Sequence, residues 1–255
     1  MSAVPEPAIL LKDVHYEVDG RVILEGVSAE ITPGEIFGVM GMSGVGKSTL
    51  LRLVIGLIRP QAGEIWVLGQ PVHALGEREL NQVRRRMGLC FQGAALFDSL
   101  SVAENVAFGL VRTHRGLSAE EVQRRVEAQL DLVGMEGTEE MRPSQLSGGM
   151  RKRVGVARAM IMEPEIMLYD EPTSGLDPIM SAVIVELIAK LRQQFKVTSL
   201  VVTHEVDQLL GLADRIMMLY QGRAVTEDTP ENIRCCADPI VRQFVAGSPI
   251  GPIPV

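Results

Sequence analysis

Long uncharged apolar runs are missing from these 255 residues. None approaches the roughly 18 to 20 apolar residues that a helix needs to cross a bilayer, so no membrane span is expected. The opening stretch Met1-Ser2-Ala3-Val4-Pro5-Glu6-Pro7 lacks the basic-then-apolar order of a signal peptide. The chain is therefore expected to stay in the cytosol. Cysteine is scarce: Cys90 sits in an apolar segment, and adjacent Cys235-Cys236 could pair only in a strained ring, so free thiols are expected rather than a disulfide framework. A basic excess is missing too. The 25 Lys and Arg against 32 Asp and Glu give a formal charge of -7, which argues against nucleic acid as a partner, because a phosphate backbone is bound through clustered Lys and Arg. The local exceptions, Arg84-Arg85-Arg86 and Arg151-Lys152-Arg153, fall in helical stretches and read as solvated faces. What is present is apolar residue in quantity, 46% of the chain, enough for one large packed domain or two small ones.

The sharpest chemical signal is Gly41-Met42-Ser43-Gly44-Val45-Gly46-Lys47-Ser48-Thr49. It fits G-x-x-x-x-G-K-[ST], a loop whose glycines let consecutive N–H groups converge on phosphate oxygens while the following helix adds its positive end. Lys47 would reach the outer phosphates, and the Ser48 hydroxyl is placed to ligate Mg2+. The preceding Glu35-Ile36-Phe37-Gly38-Val39-Met40 reads as the buried strand this motif requires. A mere glycine turn between strand and helix would not need the lysine and the hydroxyl as well.

Around that loop the chain changes character twice. Val14 to Val18 and Arg21 to Leu24 flank Asp19-Gly20, a hairpin signal for an antiparallel β region. Lys47 to Leu57 reads as the helix after the loop, Glu64 to Val72 as strands, and Met87 to Gln92 as a strand ending in a polar residue. From about 93 to 146 the strand signal fades, and Ser118-Ala119-Glu120-Glu121 opens a helix with Val122, Val126, Leu130 and Val133 on one face. This stretch reads as a helical insertion. Strands return at Ile166 to Tyr169 and Ser199 to Val202, with a helix between them capped by Asp177-Pro178. That alternation is βαβ and predicts an α/β fold with a mainly parallel sheet. A last hairpin turns at Gln221-Gly222, Thr229-Pro230 opens another capped helix, and the proline-rich residues 248–255 form a tail excluded from helix or central strand.

Two further elements carry chemistry. Asp170-Glu171 ends an apolar parallel strand, at the sheet edge where ligands bind. Asp170 can hold Mg2+ through water, and Glu171 can orient or deprotonate the water that attacks a γ-phosphate; the bland alternative is two acids capping a turn. Leu146-Ser147-Gly148-Gly149-Met150 places Ser147 as N-cap of a glycine-opened helix, a second anion site. One nucleotide already has its phosphate loop, so this second helix end is most useful if it closes over the γ-phosphate bound by another copy. Alone, a capped helix start is common.

Gly41 to Thr49, Gln92, Leu146 to Met150, Asp170-Glu171, Ser174-Gly175-Leu176-Asp177 and His204 stand in the order found in ATP-binding cassette ATPases, and in this the chain resembles that family over almost its whole length. The resemblance implies a phosphate-loop NTPase core with one cassette domain over 1–247, the helical subdomain near 93–146 inserted in it. It implies ATP as substrate, Mg2+ as cofactor, and catalytic roles for Glu171 and for His204 at the γ-phosphate. It makes Gln92 the mobile glutamine linking the Mg2+ site to the helical subdomain, and Asp177 part of the loop joining two active sites. Residue by residue, Gln92 can be only a strand end, Asp177 only a cap, and His204 only a satisfied histidine.

Two departures bear on the resemblance. Many relatives carry Gln where Met150 stands. Family members also present an aromatic ring to adenine at the position of Val18; Tyr16, two residues earlier, is expected on the same face by strand alternation.

Residues 86–97, the Met150 signature, and the ending Val241-Arg242-Gln243-Phe244-Val245 with Gly251-Pro252-Ile253-Pro254 are similar to the MlaF-like subgroup, ATPases that energise bacterial phospholipid transport between membranes. That likeness implies a homodimer on ATP, docked through residues 93–109 on an integral membrane permease at the cytoplasmic face of the inner membrane, with lipid-binding and accessory subunits. The competing readings are the ATPase of another transporter and a permease-independent cytosolic cassette acting in cofactor assembly.

Overall fold

The computed structural model describes residues 6–114 and 116–254; residues 1–5, on which the signal-peptide reading rests, lie outside the described residues. The chain opens with the antiparallel hairpin β1 (Ile9–Val18) and β2 (Arg21–Ile31). Its turn is made by Asp19 and Gly20, both with positive φ (50° and 76°), as a tight hairpin whose twist matches its strands requires. After β3 (Ile36–Met40) and α1 (Lys47–Val54), strand β4 (Ala62–Val67) returns to the free edge of β1, giving a three-stranded antiparallel sheet in the order β2-β1-β4.

Strand signal between 64 and 72 is broken at Leu68-Gly69, both left-handed (φ 51° and 73°), where Val67 N–H donates to the Gln70 carbonyl across a tight turn. α1 is likewise shorter than its apolar pattern, because Gly56 at φ 70° leaves the helical region.

Beyond α2 (Glu77–Arg84), strand β5 (Met87–Cys90) begins the edge of a second sheet. Helices α3 (Val102–Thr113) and α4 (Ala119–Leu132), a 3-10 turn (Pro143–Gln145) and α5 (Gly148–Met160) follow without a strand among them. Ser101 and Ser118 cap α3 and α4, and α3 has the full capping box with Glu104. The sheet resumes with β6 (Ile166–Asp170), α6 (Pro178–Phe195), β7 (Thr198–Thr203), α7 (Val206–Leu212), β8 (Arg215–Tyr220) and β9 (Arg223–Asp228). Its order is β5-β6-β7-β3-β8-β9, parallel except for the terminal β8-β9 hairpin.

Period-two alternation sorts the strand residues into two cores. Phe37, Val39, Ile166, Leu168, Leu200, Val202, Met217 and Leu219 pack on α1 and the N-terminal sheet. Their neighbours Ile36, Met40, Met167, Tyr169, Val201, Ile216 and Met218 pack on the other face, against a core that includes α3, α5 and α6. Both faces of the parallel sheet are thus covered, which is why its strands read as continuous apolar runs. It also means that their C-terminal ends, β3 at Met40, β6 at Asp170 and β7 at Thr203, share one edge.

Short helices α8 (Pro230–Arg234) and α9 (Pro239–Ala246) close the chain, each with Pro at its first position. The proline-rich segment after them folds back on its own chain. Ile253 is 6% exposed, and its N–H donates to Gln243 Oε1 at 2.6 Å while its carbonyl accepts from Gln243 Nε2 at 3.1 Å.

The basic runs differ from the solvated faces read from sequence. Arg84 donates to the carbonyls of Ile55 and Gly56 at the end of α1 (3.0 and 2.7 Å), and Arg153 to those of Val133 and Gly134 at the end of α4 (3.3 and 2.7 Å). Helix ends leave carbonyls without helical partners, and a guanidinium fork satisfies two at once. At Tyr16 the ladder skips Ile23 on β2, a bulge in the partner strand that leaves the alternation of β1 intact; Tyr16 is partly buried against the core, and Val18 at the strand end is 44% exposed.

Candidate active site at the carboxyl edge of the parallel sheet

The chain leaves β3 at Gly41 with φ 153°, and a Cβ there would lie 2.4 Å from the Leu219 carbonyl oxygen. It enters α1 through Gly46, at φ 113° and less tightly enclosed, where a Cβ would lie 2.9 Å from Leu24 Cδ2 and 3.0 Å from the Ile23 carbonyl oxygen. No other residue fits either place, so the strand-to-helix turn is forced into a tight cradle. The first helical bond runs from Leu50 N–H to the Gly46 carbonyl. The N–H groups of Lys47, Ser48 and Thr49 therefore point out of the helix start without helical acceptors.

Within the cradle Val45 packs inward and Met42 is exposed. Ser43, Gly44, Gly46, Lys47, Ser48 and Thr49 line a cavity of about 380 Å³, closed on its other sides by Ile23, Gln92, Glu171 and His204. Five separate chain segments thus meet at the edge where three strands end.

Lys47 is 5% exposed. Its Nζ donates to the Gly41 carbonyl at 2.7 Å and the Met42 carbonyl at 3.1 Å, and lies 3.4 Å from Glu171 Oε1. Burial pulls the ammonium below its ordinary pKa, while the Glu171 charge opposes that shift. Ser48 Oγ donates to Asp170 Oδ1 at 2.8 Å. Burial raises the Asp170 pKa, with the Ser48 hydrogen bond acting against it.

Glu171 is left-handed at φ 48° and 7% exposed. Its Oε2 accepts from Thr203 Oγ1 at 3.0 Å, His204 N at 3.2 Å and His204 Nδ1 at 2.9 Å. Burial alone would raise its pKa; the His204 and Thr203 hydrogen bonds and the Lys47 charge outweigh that and hold it below the ordinary carboxylate range. Since a carboxylate only accepts, Nδ1 carries the hydrogen and the other ring nitrogen is left for a ligand.

Gln92 stands on the cavity wall and its Nε2 donates to Ser174 Oγ at 3.3 Å. Asp177 is at the start of α6, with Oδ1 accepting from Ile179 N and Met180 N, both at 3.0 Å. Ser147 caps α5 by accepting from Met150 N at 3.3 Å. Gly148 lies beside Leu176 and Gly149 beside Met180, and none of residues 147–149 lines the phosphate-loop cavity.

Two contributors were not read from sequence. Thr203, the last residue of β7, grips Glu171; its place directly before His204 is the signal that could have found it. Lys152 donates from α5 to the Glu171 carbonyl at 2.9 Å, a contact 19 residues apart that local pattern does not announce.

No three His, Cys, Asp or Glu side chains cluster as a metal cage among the described residues. The neighbouring Ser48 hydroxyl and Asp170 carboxylate are hard oxygens of the kind that could hold Mg2+ in company with substrate phosphates. The arrangement can cradle a triphosphate, offer it a buried ammonium, and hold an acceptor carboxylate beside it.

Residues 24–174 match the family model described as ABC transporter. The intermembrane phospholipid transport system ATP-binding protein MlaF of Haemophilus influenzae is 38% identical over 245 residues, covering 96% of this chain and 92% of that protein. Among solved structures, the ATP-binding cassette MJ0796, a dimer in a post-hydrolysis state bound to ADP and Pi, superposes with a TM-score of 0.80 at 34% identity, covering 87% of this chain and 98% of that one. The cbiO1 protein of Clostridium perfringens, part of the ABC transporter complex cbiONQ, gives 0.83 at 28% identity, covering 93% and 94%. With a family model over more than half its length and a relative of this identity over nearly all of it, the chain belongs to the ABC transporter family as an ATP-hydrolysing, ATP-binding domain.

Proposed function

We propose that this ATPase powers phospholipid transport between membranes, as two copies that close on ATP against a membrane permease. What supports the cargo is the 38% identity with the MlaF protein across 96% of the chain. What supports closure by a second copy is the incomplete cavity. The phosphate loop, Gln92, Glu171 and His204 face it, while the glycine-opened helix end at Ser147 does not, leaving one anion-binding helix end free for a neighbour's nucleotide. The relative MJ0796 is a dimer bound to ADP and Pi, and cbiO1 belongs to a transporter complex.

In the cycle, the N–H groups of residues 44–49 and the Lys47 ammonium bind the β- and γ-phosphates. Ser48, Gln92 and Asp170 would hold Mg2+, which when bound would supply neutralising charge on those phosphates. Ser147, Gly148 and Gly149 of the second copy cover the γ-phosphate. Glu171, fixed by Thr203 and His204, accepts hydrogen from the attacking water, and His204 presents its remaining nitrogen to the γ-phosphate. Asp177, at the start of α6 beside the Gly149 helix end, joins the two sites. Loss of the γ-phosphate removes the surface on which the second helix end closes, so the copies part.

No helix among the described residues is long and apolar enough to cross a membrane, so the cargo path belongs to the partner. The docking face is residues 93–109, on the cytoplasmic side of the inner membrane; the exposed Phe97 within it, and Phe91 just before it, support this. Purification from detergent-solubilised membranes should bring down a multi-span protein and phospholipid; recovery with soluble assembly factors alone would favour the permease-independent reading. Ser147→Arg should abolish ATPase activity yet leave ATP binding by the single chain intact, and full activity in that variant would end the two-copy model.

A further inference from the structure

Helix α5 touches three parts of the nucleotide site. Its N-terminus carries Ser147, Gly148 and Gly149. Five residues on, about 7.5 Å along the axis, Lys152 Nζ donates to the Glu171 carbonyl at 2.9 Å. Near its end, Arg158 donates to the carbonyls of Ala94 and Ala95, both at 2.7 Å. Those two alanines are consecutive left-handed residues (φ 60° and 46°) just past Gln92, a conformation that non-glycine residues hold only when braced from outside.

The Lys152 contact is the informative one. Lysine is a hydrated point charge, and placing its head half-buried against a carbonyl is unfavourable unless that contact serves the fold or the site. Among the described residues its ammonium forms no ion pair, and the Glu171 carbonyl is its hydrogen-bond partner. Burial lowers its pKa, opposed by nearby negative charge that includes Glu171, Asp170 and Glu205. The carbonyl it holds also accepts from Ser174 N at 3.2 Å, so the Glu171 backbone is pinned between α5 and the loop leading to Asp177. A shift of α5 along its axis therefore pulls on the main chain of the residue whose side chain faces the phosphates.

We propose that Lys152 is a positioning residue which ties the phosphate-sensing end of α5 to Glu171 of the same chain. Each chain then sets its own Glu171 only when its Ser147 end has engaged the ATP held by the other copy, and the two sites fire together. This rests on the two-copy reading given above.

The test uses the full chain in its assembled complex. Lys152→Met keeps the length and apolar stem but loses the donor; Lys152→Arg keeps a charged donor. Lys152→Met should lower kcat roughly tenfold or more with KM for ATP within about threefold, and bring the Hill coefficient for ATP toward 1. Lys152→Arg should restore most of kcat. In a Glu171→Gln background, Lys152→Met should still form the ATP-dependent dimer, since α5 is intact and only its link to residue 171 is cut.

Unchanged kcat in Lys152→Met would overturn the proposal. So would a loss of ATP binding and thermal stability that parallels the loss of kcat and is not rescued by Lys152→Arg, because the lysine would then merely hold the fold together. If Glu171→Gln alone forms no ATP-dependent dimer, the two-copy reading falls and the proposal with it; a normal dimer with unaltered Lys152→Met turnover removes the proposal alone.

Discussion

Nδ1 of His204 lies 2.9 Å from Oε2 of Glu171, and the same oxygen accepts from the His204 main-chain N–H at 3.2 Å. One residue thus holds the carboxylate twice, while Thr203 holds it a third time. This leaves Oε1 facing Lys47 at 3.4 Å as the less encumbered oxygen. Fixing a base in one rotamer before substrate arrives avoids the entropy of ordering it during reaction.

Glu171→Gln keeps the shape but not the basicity. It should bind ATP normally, lose on the order of 10² to 10⁴ in kcat, and accumulate as a nucleotide-bound dimer on size exclusion. His204→Ala should be milder, because Thr203 still orients the carboxylate. Near-normal hydrolysis by the Gln variant, in a phosphate-release assay, would remove Glu171 from its role.

Val18 ends β1 with 44% of its surface exposed, and Tyr16 is packed on the core. No ring stands at position 18 itself, and that of Tyr16 is partly buried against the core. Restoring one should add about 0.5 to 1.5 kcal/mol, so Val18→Tyr should tighten ATP by up to roughly tenfold and GTP by less. Equilibrium titration with both nucleotides decides it: equal affinities before and after the change would remove adenine stacking.

The phosphate loop, the hairpin at Asp19-Gly20 and the caps at Ser118, Ser147 and Asp177 were legible because each is a local device, its chemistry contained in a few consecutive residues. The parallel sheet was legible from runs such as Ile166 to Tyr169, whose two buried faces leave no polar alternation. What was not legible lies in contacts between distant segments. Arg84 and Arg153 resemble any solvated cation in sequence, and only the folded chain shows the helix-end carbonyls they serve. The strand reading of 64–72 holds only as far as Val67, for a different reason: Leu68 adopts a left-handed φ that its side chain does not advertise.

Cys90 is enclosed by the sheet and α5, and burial pushes its thiol up to about 12 from an ordinary 9.0. At pH 8 it should resist maleimide in the native chain while exposed Cys235 reacts; mass spectrometry should find all three thiols modified only after unfolding. The sign of the stability effect follows. Above pH 9 the unfolded chain sheds this proton and the folded chain keeps it, so stability falls by roughly 1.4 kcal/mol per pH unit from this group, until the folded thiol ionises near 12. Cys90→Ala should flatten the alkaline limb of the Tm profile relative to the native sequence. Identical limbs would mean that the thiol is not enclosed.

Gln243 and Ile253 give the last prediction. The Gln243 amide is 7% exposed and spends both its ends on the tail, accepting from Ile253 N and donating to the carbonyls of Ile253 and Ser248. Removing residues after Gly247 strips this partner but also admits water to the amide, so the lasting cost is the lost burial of Ile253, about 1.5 to 3 kcal/mol. For a chain of this size that is a fall of roughly 3 to 12 °C in Tm. Gln243→Leu with the tail in place is a harsher case per atom, because the Ile253 N–H stays covered and loses its acceptor. If the tail serves its own chain, both shifts should be independent of protein concentration, since no association is involved. A tail that instead held a neighbouring copy would make the loss in Tm concentration-dependent, and a dilution series of melting curves separates the two.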